Sequence, residues 1–389
     1  MPHSTPTLSL DEIRTQITSI DNQLLDLLAR RRKMSLEVAK SKIQTQKAVR
    51  DIAREQKLLA RLLKVGKELD LDSVYIAHVF QTIIADSVLY QQSYLQKLAN
   101  KEDHPAYRVA FLGPKGSYSS IATQNYFSHH ENRLIELPES SFKSILKKVE
   151  EGHADYGVLP IENTNSGSIN DVYDILQHTS VSIVGEITIP IRHAVLVSQP
   201  TSLEKIRTLY SHSQPHAQCS DFIESLADVK LEFCSSTAAA MAQVQKLNSS
   251  HVAAIGNMDS GKLYDLSVLK EDIANQTQNF TRFIIIARKP VEVTQLIPAK
   301  TTLVMTTGQE AGSLVECLLI LRNHHINMSK LESRPLKGNP WEEVFYIDLN
   351  ANMAEESMQD AFKQLQAQAK FVKVLGCYPI ENVKPVTML

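Results

Sequence analysis

The sequence predicts three modules in series: an all-α domain, an α/β domain and an α+β domain. From Thr7 to His104 there is no proline and Gly66 is the only glycine, so the first hundred residues read as helix almost throughout. From Arg108, short apolar runs alternate with helical segments, the pattern of an α/β domain with largely parallel sheets. After a break from Arg288 to Pro298, residues 301–379 read strand, helix, strand, strand, helix, strand, close to the ferredoxin-like βαββαβ plan. The modules span residues 1–99, 108–288 and 302–379, with Asn100-Lys-Glu-Asp-His-Pro105 as a polar linker.

Composition narrows the function classes. Of 389 residues, 43% are hydrophobic and 22% charged, enough to bury an ordinary core in each module. The balance of 41 Lys and Arg against 43 Asp and Glu gives −2, which argues against a nucleic-acid or anionic-membrane surface. Cys219, Cys234, Cys317 and Cys377 form no CxxC pair, so neither a disulfide scaffold nor a structural zinc site is expected. The start, MPHSTPTLSLDEI, lacks the charged and apolar regions of a secretory signal, and no apolar run approaches a membrane span. A soluble, cytoplasmic protein is the expectation.

The first helix is expected over about Ser9–Ile43. Leu10, Ile13, Ile17, Ile20, Leu24, Leu27 and Leu28 keep helical spacing, and the same stripe continues through Arg31, Ser35, Val38 and Lys42, with Arg14 at its border. At ~1.5 Å per residue this helix is roughly 50 Å long. A compact 100-residue domain has a radius of gyration of ~13 Å, so the helix overhangs its own domain and a partner chain must cover its far end. A second helix, around Val49–Glu68, mixes Asp51 and Glu55 with Leu58, Leu59 and Leu62; a third, around Ser73–Leu98, embeds Ser87 and Gln91 among Ile76, Phe80, Ile83, Tyr94 and Leu98. One polar residue in an apolar stripe is an ordinary paired core group. Recurrence on three helices, with cations beside hydrogen-bonding groups, marks the lining of an anion site. The run Arg30-Arg31-Arg32-Lys33 points around most of the helix, so it reads as solvated arginines with one turned inward.

These residues carry a resemblance. The spacing of Arg14, Arg31 and Lys42, the run VRDIAREQK (Val49–Lys57) and the run DSVLYQQ (Asp86–Gln92) resemble the all-helical chorismate mutase domain, an intertwined homodimer. The resemblance implies that Arg14 of the partner subunit, Arg31 and Arg54 hold the substrate carboxylates. It implies that Lys42 and Gln91 bond the ether oxygen of the breaking bond, and that Asp51, Glu55 and Ser87 meet the ring hydroxyl or support the groups that do. The chemistry suits these residue types. Chorismate to prephenate is an intramolecular rearrangement that needs no nucleophile, metal or redox cofactor. It needs the dianion held in its reactive conformation, for which guanidinium forks match carboxylates. It also needs preorganised donors at the ether oxygen.

In the middle module, VAFLGPKGSYSSIA (Val109–Ala122) reads as strand, glycine turn and helix, but it matches neither nucleotide loop and is best taken as a tight turn. A denser polar cluster, Pro160-Ile-Glu-Asn-Thr-Asn-Ser-Gly-Ser-Ile-Asn170, follows the apolar YGVL strand, where α/β sheets place ligands. Further polar groups recur at Ser211–Gln214 with Gln218, at Ser235–Thr237 and at Asn279–Phe283. Capping and turn formation explain many of these residues singly; their recurrence favours a cleft. The PIENTNSGSINDVYD and NFTRF stretches resemble prephenate dehydratase, a two-lobed α/β fold. The resemblance implies Thr281 as the hydroxyl assisting departure of the ring hydroxide, with Glu162, Asn163, Thr164, Ser211 and Gln218 as neighbours in the cleft. The reaction loses carbon dioxide and hydroxide together. On this reading Glu162 is a proton source and Arg282 a cation for the pyruvyl carboxylate.

In the last module the strand TTLVMTT leads into a glycine-led helix start at Gly312, where free N–H groups favour a carboxylate. Alone, a helix cap and two turns explain the segment. Its order resembles an ACT regulatory domain of the phenylalanine-sensing kind. That resemblance implies an amino-acid site at a dimer interface, formed by Gly312, Ser313, Leu314 and Val315 with Glu332, Ser333, Arg334 and Pro335. The Ser313 hydroxyl is expected to compete for the helix-start N–H groups.

Taken in order, the resemblances imply a fused mutase and dehydratase of phenylalanine biosynthesis. Chorismate and prephenate are then its substrates, phenylalanine its feedback effector, and a homodimer or higher oligomer its assembly. A mutase fused to a dehydrogenase is the first rival and lacks its dinucleotide fingerprint. A non-catalytic sensor of aromatic precursors is the second; the Arg14, Arg31, Lys42, Gln91 and Thr281 set argues against it.

Overall fold

The computed structural model describes residues 9–100, 106–128, 133–177, 179–226, 228–276, 278–336, 338–339 and 341–380. Most of the expected linker, residues 101–105, and the first eight residues lie outside them. The described residues divide into two compact units. One holds residues 9–100 together with Thr294–Pro298, and the other holds residues 106–293 and 299–380.

The first unit contains α1 (Leu10–Thr45), α2 (Ile52–Glu68) and α3 (Ser73–Asn100). Ser9 starts α1 through a reciprocal capping box with Glu12, and Asp51 starts α2 by accepting the N–H of Arg54 at 3.0 Å. Gly66 lies against Ile76 so closely that a Cβ there would sit 2.9 Å from its side chain, which brings α2 onto α3. The break after Arg288 does more than connect: Val49 N–H donates to the Leu296 carbonyl at 2.8 Å, so residues 294–298 belong to the helical unit. Over its first two-thirds α1 leaves its apolar stripe open. Leu10, Ile13, Ile17, Ile20, Leu24, Leu27 and Leu28 are 40–62% exposed, whereas the buried residues of α1 are Ser35 and Ala39.

In the second unit the chain builds one lobe from β1 (Ala106–Leu112), α4 (Tyr118–Phe127), β2 (Arg133–Glu139), α5 (Phe142–Glu150), β3 (Tyr156–Asn163), β4 (Gly167–Ser168), α6 (Asn170–Leu176) and β5 (Ser182–Pro190). It then forms a second lobe from β6 (Ala194–Val197), β7 (Thr208–Ser211), α7 (Ser213–Gln218), α8 (Ser220–Glu224), β8 (Lys230–Phe233), α9 (Thr237–Leu247), β9 (Val252–Gly256), α10 (Met258–Leu263) and β10 (Ser267–Lys270). The return strand β11 (Phe280–Ala287) inserts between β3 and β5. The sheet orders are β2-β1-β3-β11-β5 and β10-β6-β9-β7-β8.

The expectation of largely parallel sheets needs correcting. β11 runs antiparallel to both β3 and β5, and β6 runs antiparallel to β9 and β10. A strand that enters directly from the other lobe needs no crossover helix, so nothing imposes the parallel direction on it.

The last segment comprises β12 (Ala299–Thr306), α11 (Ser313–Asn323), β13 (Met328–Pro335), β14 (Glu343–Leu349), α12 (Glu356–Gln368) and β15 (Phe371–Pro379), in sheet order β13-β14-β12-β15. This is the expected βαββαβ plan. One face of the sheet packs under α11 and α12 through Leu303, Met305, Leu321, Ile347 and Leu365. The other face shares a core with the first lobe, where Val304, Val344, Tyr346, Leu375 and Tyr378 pack with Leu159, Ile161, Tyr173, Ile183 and Ile284. Burying a Val or Leu side chain stabilises by about 1.5–3 kcal/mol, so the two segments hold each other in place. At Gly376 the backbones meet so closely that a Cβ would lie 2.0 Å from the Ile183 carbonyl oxygen.

Candidate functional sites

In the helical unit, the polar residues of the three stripes converge. Arg31, half-buried on α1, donates through Nη1 to Ser87 Oγ on α3 and to the Ile83 carbonyl at 3.3 Å. Burial presses the Arg31 guanidinium pKa down, with Asp86 opposing. Lys42 donates to the Val49 carbonyl. Its ammonium pKa is lowered by burial and then by Arg54, while Asp51 and Glu55 pull it back up. Glu55 is buried and accepts from Arg50 Nε at 3.3 Å. Gln91, also buried, donates to the Ser87 carbonyl at 3.0 Å; its Oε1 is buried with no hydrogen-bond partner. Buried polar atoms are almost always paired, so an orphan oxygen here marks a place for a donor from a ligand or water.

Arg14 is not part of this cluster. It is exposed and pairs with Asp11 at 3.6 Å. Seventeen residues separate it from Arg31 on one helix, ~25 Å along the axis, so the two cannot reach one small molecule from the same chain.

In the second unit, Asn163 ends β3 and Thr281 lies beside it on β11 in register. Asn163 Nδ2 donates to Thr281 Oγ1 at 2.9 Å, to the Phe280 carbonyl at 3.0 Å and to Asn279 Oδ1 at 2.7 Å. Its Oδ1 accepts the N–H groups of Asn165 and Ser166, both at 3.0 Å, which folds the turn after β3. Because Thr281 Oγ1 already accepts from Asn163, its hydroxyl hydrogen is left to donate elsewhere. Thr164 accepts the Phe280 N–H at 2.9 Å and locks the two strand ends together. From the second lobe, Gln214 Nε2 reaches Ser166 Oγ at 3.4 Å, and Ser211 is buried at the end of β7 with its hydroxyl on the His212 carbonyl.

Asn279, from the polar group read in the sequence, and two residues that the sequence did not single out, His193 and Tyr118, complete this region. Asn279, in the return crossing, is buried, accepts from Asn163 and has no partner for its Nδ2. His193, in the outgoing crossing, meets Gln218 Oε1 at 2.8 Å through Nε2; burial lowers its pKa while the Gln218 bond opposes. Tyr118, at the start of α4, donates to the Arg192 carbonyl at 2.8 Å and lies 3.3 Å from His193 Nδ1. The turn before it carries Gly113 and Gly116 at positive φ, and the Tyr264 hydroxyl of the second lobe donates to the Lys115 carbonyl within it. Asn279 sits in the NFTRF motif and was legible as a polar neighbour; a lone histidine and tyrosine give no signal.

Two expectations are overturned. Glu162 precedes Asn163 and Arg282 follows Thr281 on their strands, so both point to the opposite face. There Arg282 Nε lies 2.6 Å from Glu162, and its Nη1 lies 3.0 Å from Glu186 and 2.7 Å from Asp348. Lys330 Nζ lies 2.6 Å from Glu162, and Lys300 Nζ 2.6 Å from Glu186. Burial alone would raise the Glu162 pKa, but Arg282 and Lys330 outweigh it and hold it below the ordinary carboxylate value. Glu162 is therefore ionised at neutral pH and is neither a proton source nor a cleft contact. Arg282 is occupied by three carboxylates and is no cation for the pyruvyl carboxylate.

In the last segment Gly312 starts α11 at φ 93°, with open space where a Cβ would lie. Leu314 is half-buried and Val315 exposed. The Ser313 hydroxyl donates to the Glu310 carbonyl at 3.0 Å. On β13, Glu332 accepts from Ser168 Oγ at 2.5 Å, and Arg334 pairs with Asp174 at 3.1 Å, so both side chains face the first lobe. Ser333 and Pro335 alternate to the exposed face.

Residues 13–92 match the family model for chorismate mutase type II and residues 109–291 that for prephenate dehydratase. The chain is 55% identical over 373 residues to a bifunctional chorismate mutase/prephenate dehydratase of Enterobacter agglomerans, covering 96% of each. It is 53% identical over 386 residues to that of Escherichia coli K12, covering 99% of each. Its fold is similar to the crystal structure of a prephenate dehydratase from Arthrobacter aurescens in complex with L-Phe, with a TM-score of 0.63 and 26% identity over 72% of this chain and 92% of that one. The chain belongs to the bifunctional chorismate mutase/prephenate dehydratase family.

Proposed function

We propose that this bifunctional enzyme divides its two reactions between the clusters around Gln91 and around Thr281. In the helical unit, Arg31 and Arg54 with Arg14 of a second copy hold the carboxylates of chorismate, and Lys42 and Gln91 donate to the ether oxygen as it gains charge. Asp51, Glu55 and Ser87 set these donors in place. The observation that carries the reading is the link of Arg31 and buried Gln91 through Ser87: Arg31 donates to the Ser87 hydroxyl and Gln91 Nε2 to the Ser87 carbonyl, which leaves the second Nε2 hydrogen of Gln91 for an acceptor such as the ether oxygen. The open apolar stripe of α1, seven exposed Leu and Ile side chains on one face, supports a homodimer, because contiguous exposed apolar surface marks protein contacts.

In the two-lobed segment, Thr281 donates to the departing ring hydroxyl of prephenate, and Asn163 fixes the direction of that donation. Thr164, Ser211 and Gln218 line the same crossing region, and the unpaired Asn279 Nδ2 supplies one further donor. The ferredoxin-like segment senses phenylalanine at the α11 start, with Ser333 and Pro335 of β13. The L-Phe complex of the similar dehydratase supports this. Val315, Leu319 and Leu331 are exposed in one chain, so a second copy completes the site. No described helix is long and apolar enough to cross a membrane.

The test is separability. Arg31→Ala abolishes conversion of chorismate to prephenate and leaves conversion of prephenate to phenylpyruvate near the parent rate, with no cofactor added. Equal loss of both in a folded variant contradicts the assignment.

A further inference from the structure

We propose that the cluster Glu162–Arg282–Lys330–Asp348 is the coupling element through which the ferredoxin-like segment acts on Asn163 and Thr281, with Lys330 as its positioning residue. The inference rests on the reading of that segment as a phenylalanine sensor.

Successive residues of a strand face opposite sides of the sheet. On β3 and β11, Asn163 and Thr281 face each other, while the adjacent Glu162 and Arg282 are paired on the opposite side. A shift of the Glu162–Arg282 pair therefore moves the backbone that carries both site residues. Two of the groups gripping that pair come from the sensing segment: Asp348 of β14, 2.7 Å from Arg282, and Lys330 of β13, 2.6 Å from Glu162. Asp348 is itself fixed, its second oxygen accepting from Thr302 Oγ1 at 2.7 Å. Lys330 also reaches Ser168 Oγ at 3.1 Å, and Ser168 in turn donates to Glu332.

β13 repeats the alternation. Lys330, Glu332 and Arg334 face the first lobe, and Leu331, Ser333 and Pro335 face outward. An effector seated on the outward side of β13 thus pulls on the same backbone as the inward clamp. β13 is an edge strand of its sheet, paired only to β14, so its outer side carries no strand pairing that resists a shift. Ion pairs suit this task because their hydrogen bonds are directional, and a shift that breaks one leaves a half-buried charge unpaired.

The experiment compares the full-length parent with Lys330→Met, which keeps the side-chain stem and removes the charge. Prephenate turnover is measured without phenylalanine and at saturating phenylalanine, and phenylalanine binding is followed by calorimetry. The parent is expected to lose activity within the ~5- to 150-fold range typical of coupled sites. Lys330→Met is expected to bind phenylalanine within about twofold of the parent yet change turnover less than about twofold on saturation, against that same scale. Lys330→Arg restores inhibition. Ser168→Ala, which removes the bridge between Lys330 and Glu332 at a half-buried site, weakens inhibition in part and serves as a second probe. Should Lys330→Met and Ser168→Ala be inhibited like the parent, the clamp is only structural and the proposal falls. If the parent itself neither binds phenylalanine nor is inhibited by it, the sensor reading falls and the proposal with it.

Discussion

At the scale of single residues, adjacent letters of one motif serve different tasks. NFTRF supplies a site hydroxyl at Thr281 and a structural cation at Arg282, and PIENT supplies Glu162 to the clamp and Asn163 to the site. The motifs were legible in the sequence, but the face each side chain takes was not. β11 shifts register between Arg282 and Phe283, and which side of the sheet meets the ferredoxin-like segment depends on tertiary packing. Thr281→Ala is expected to lower turnover on prephenate by about 10²-fold or more with little change in KM, because its hydroxyl is needed mainly in the transition state. An increase in KM at unchanged turnover would make it a ground-state contact instead. Gln91→Glu places a carboxyl where burial raises its pKa. At neutral pH the ionised form repels the developing charge on the ether oxygen; as pH falls through the raised pKa, the protonated form donates to it. The mutase rate of the variant therefore rises toward acid, and a flat profile like that of the parent removes Gln91 from the role. Lys42 gives the opposite limb. Its pKa lies below the ordinary lysine value, so kcat/KM for chorismate is expected to fall as pH rises through a point below ~10.4.

At the scale of elements, α1 carries the clearest message. Its length and spacing in the sequence implied an overhanging helix, and the structure leaves Ile17, Ile20 and Leu24 open to solvent. Replacing Ile17 and Leu24 together by Glu is expected to turn the proposed dimer into monomer in sedimentation and to abolish mutase activity, because Arg14 then has no route into a site. A dimer that persists with full activity would mean that another surface joins the copies. Among the strands, β11 was the hard one to place. Its apolar run identified it as buried, but nothing in the run showed that it returns from the second lobe and inserts antiparallel between β3 and β5. That insertion puts Thr281 beside Asn163, so the site depends on a long-range pairing that periodicity does not encode. β15 offers a packing test. Gly376→Ala drives a Cβ into the Ile183 carbonyl and is expected to destabilise the second unit by about 1–3 kcal/mol, read as a lower midpoint in denaturant.

At the scale of the whole molecule, the three expected modules pack as two compact units, because the dehydratase and ferredoxin-like segments share one apolar core and a set of ion pairs. Composition and strand order suggest a separate last segment in the sequence, but a shared core involves two faces that each look ordinary there. A chain ending near Pro290 would expose Leu159, Ile161 and Tyr173; it is expected to keep dehydratase activity and lose response to phenylalanine, while melting at a lower temperature than the parent. The central claim is that two independent sites act in sequence, chorismate to prephenate at Arg31 and Gln91, then prephenate to phenylpyruvate at Thr281. The most direct measurement mixes equal amounts of Arg31→Ala and Thr281→Ala enzymes with chorismate and follows phenylpyruvate. Each variant alone is expected to form almost none, and the mixture to restore production as free prephenate passes from one to the other. A mixture no more active than the sum of its parts, with both variants folded, would contradict the account.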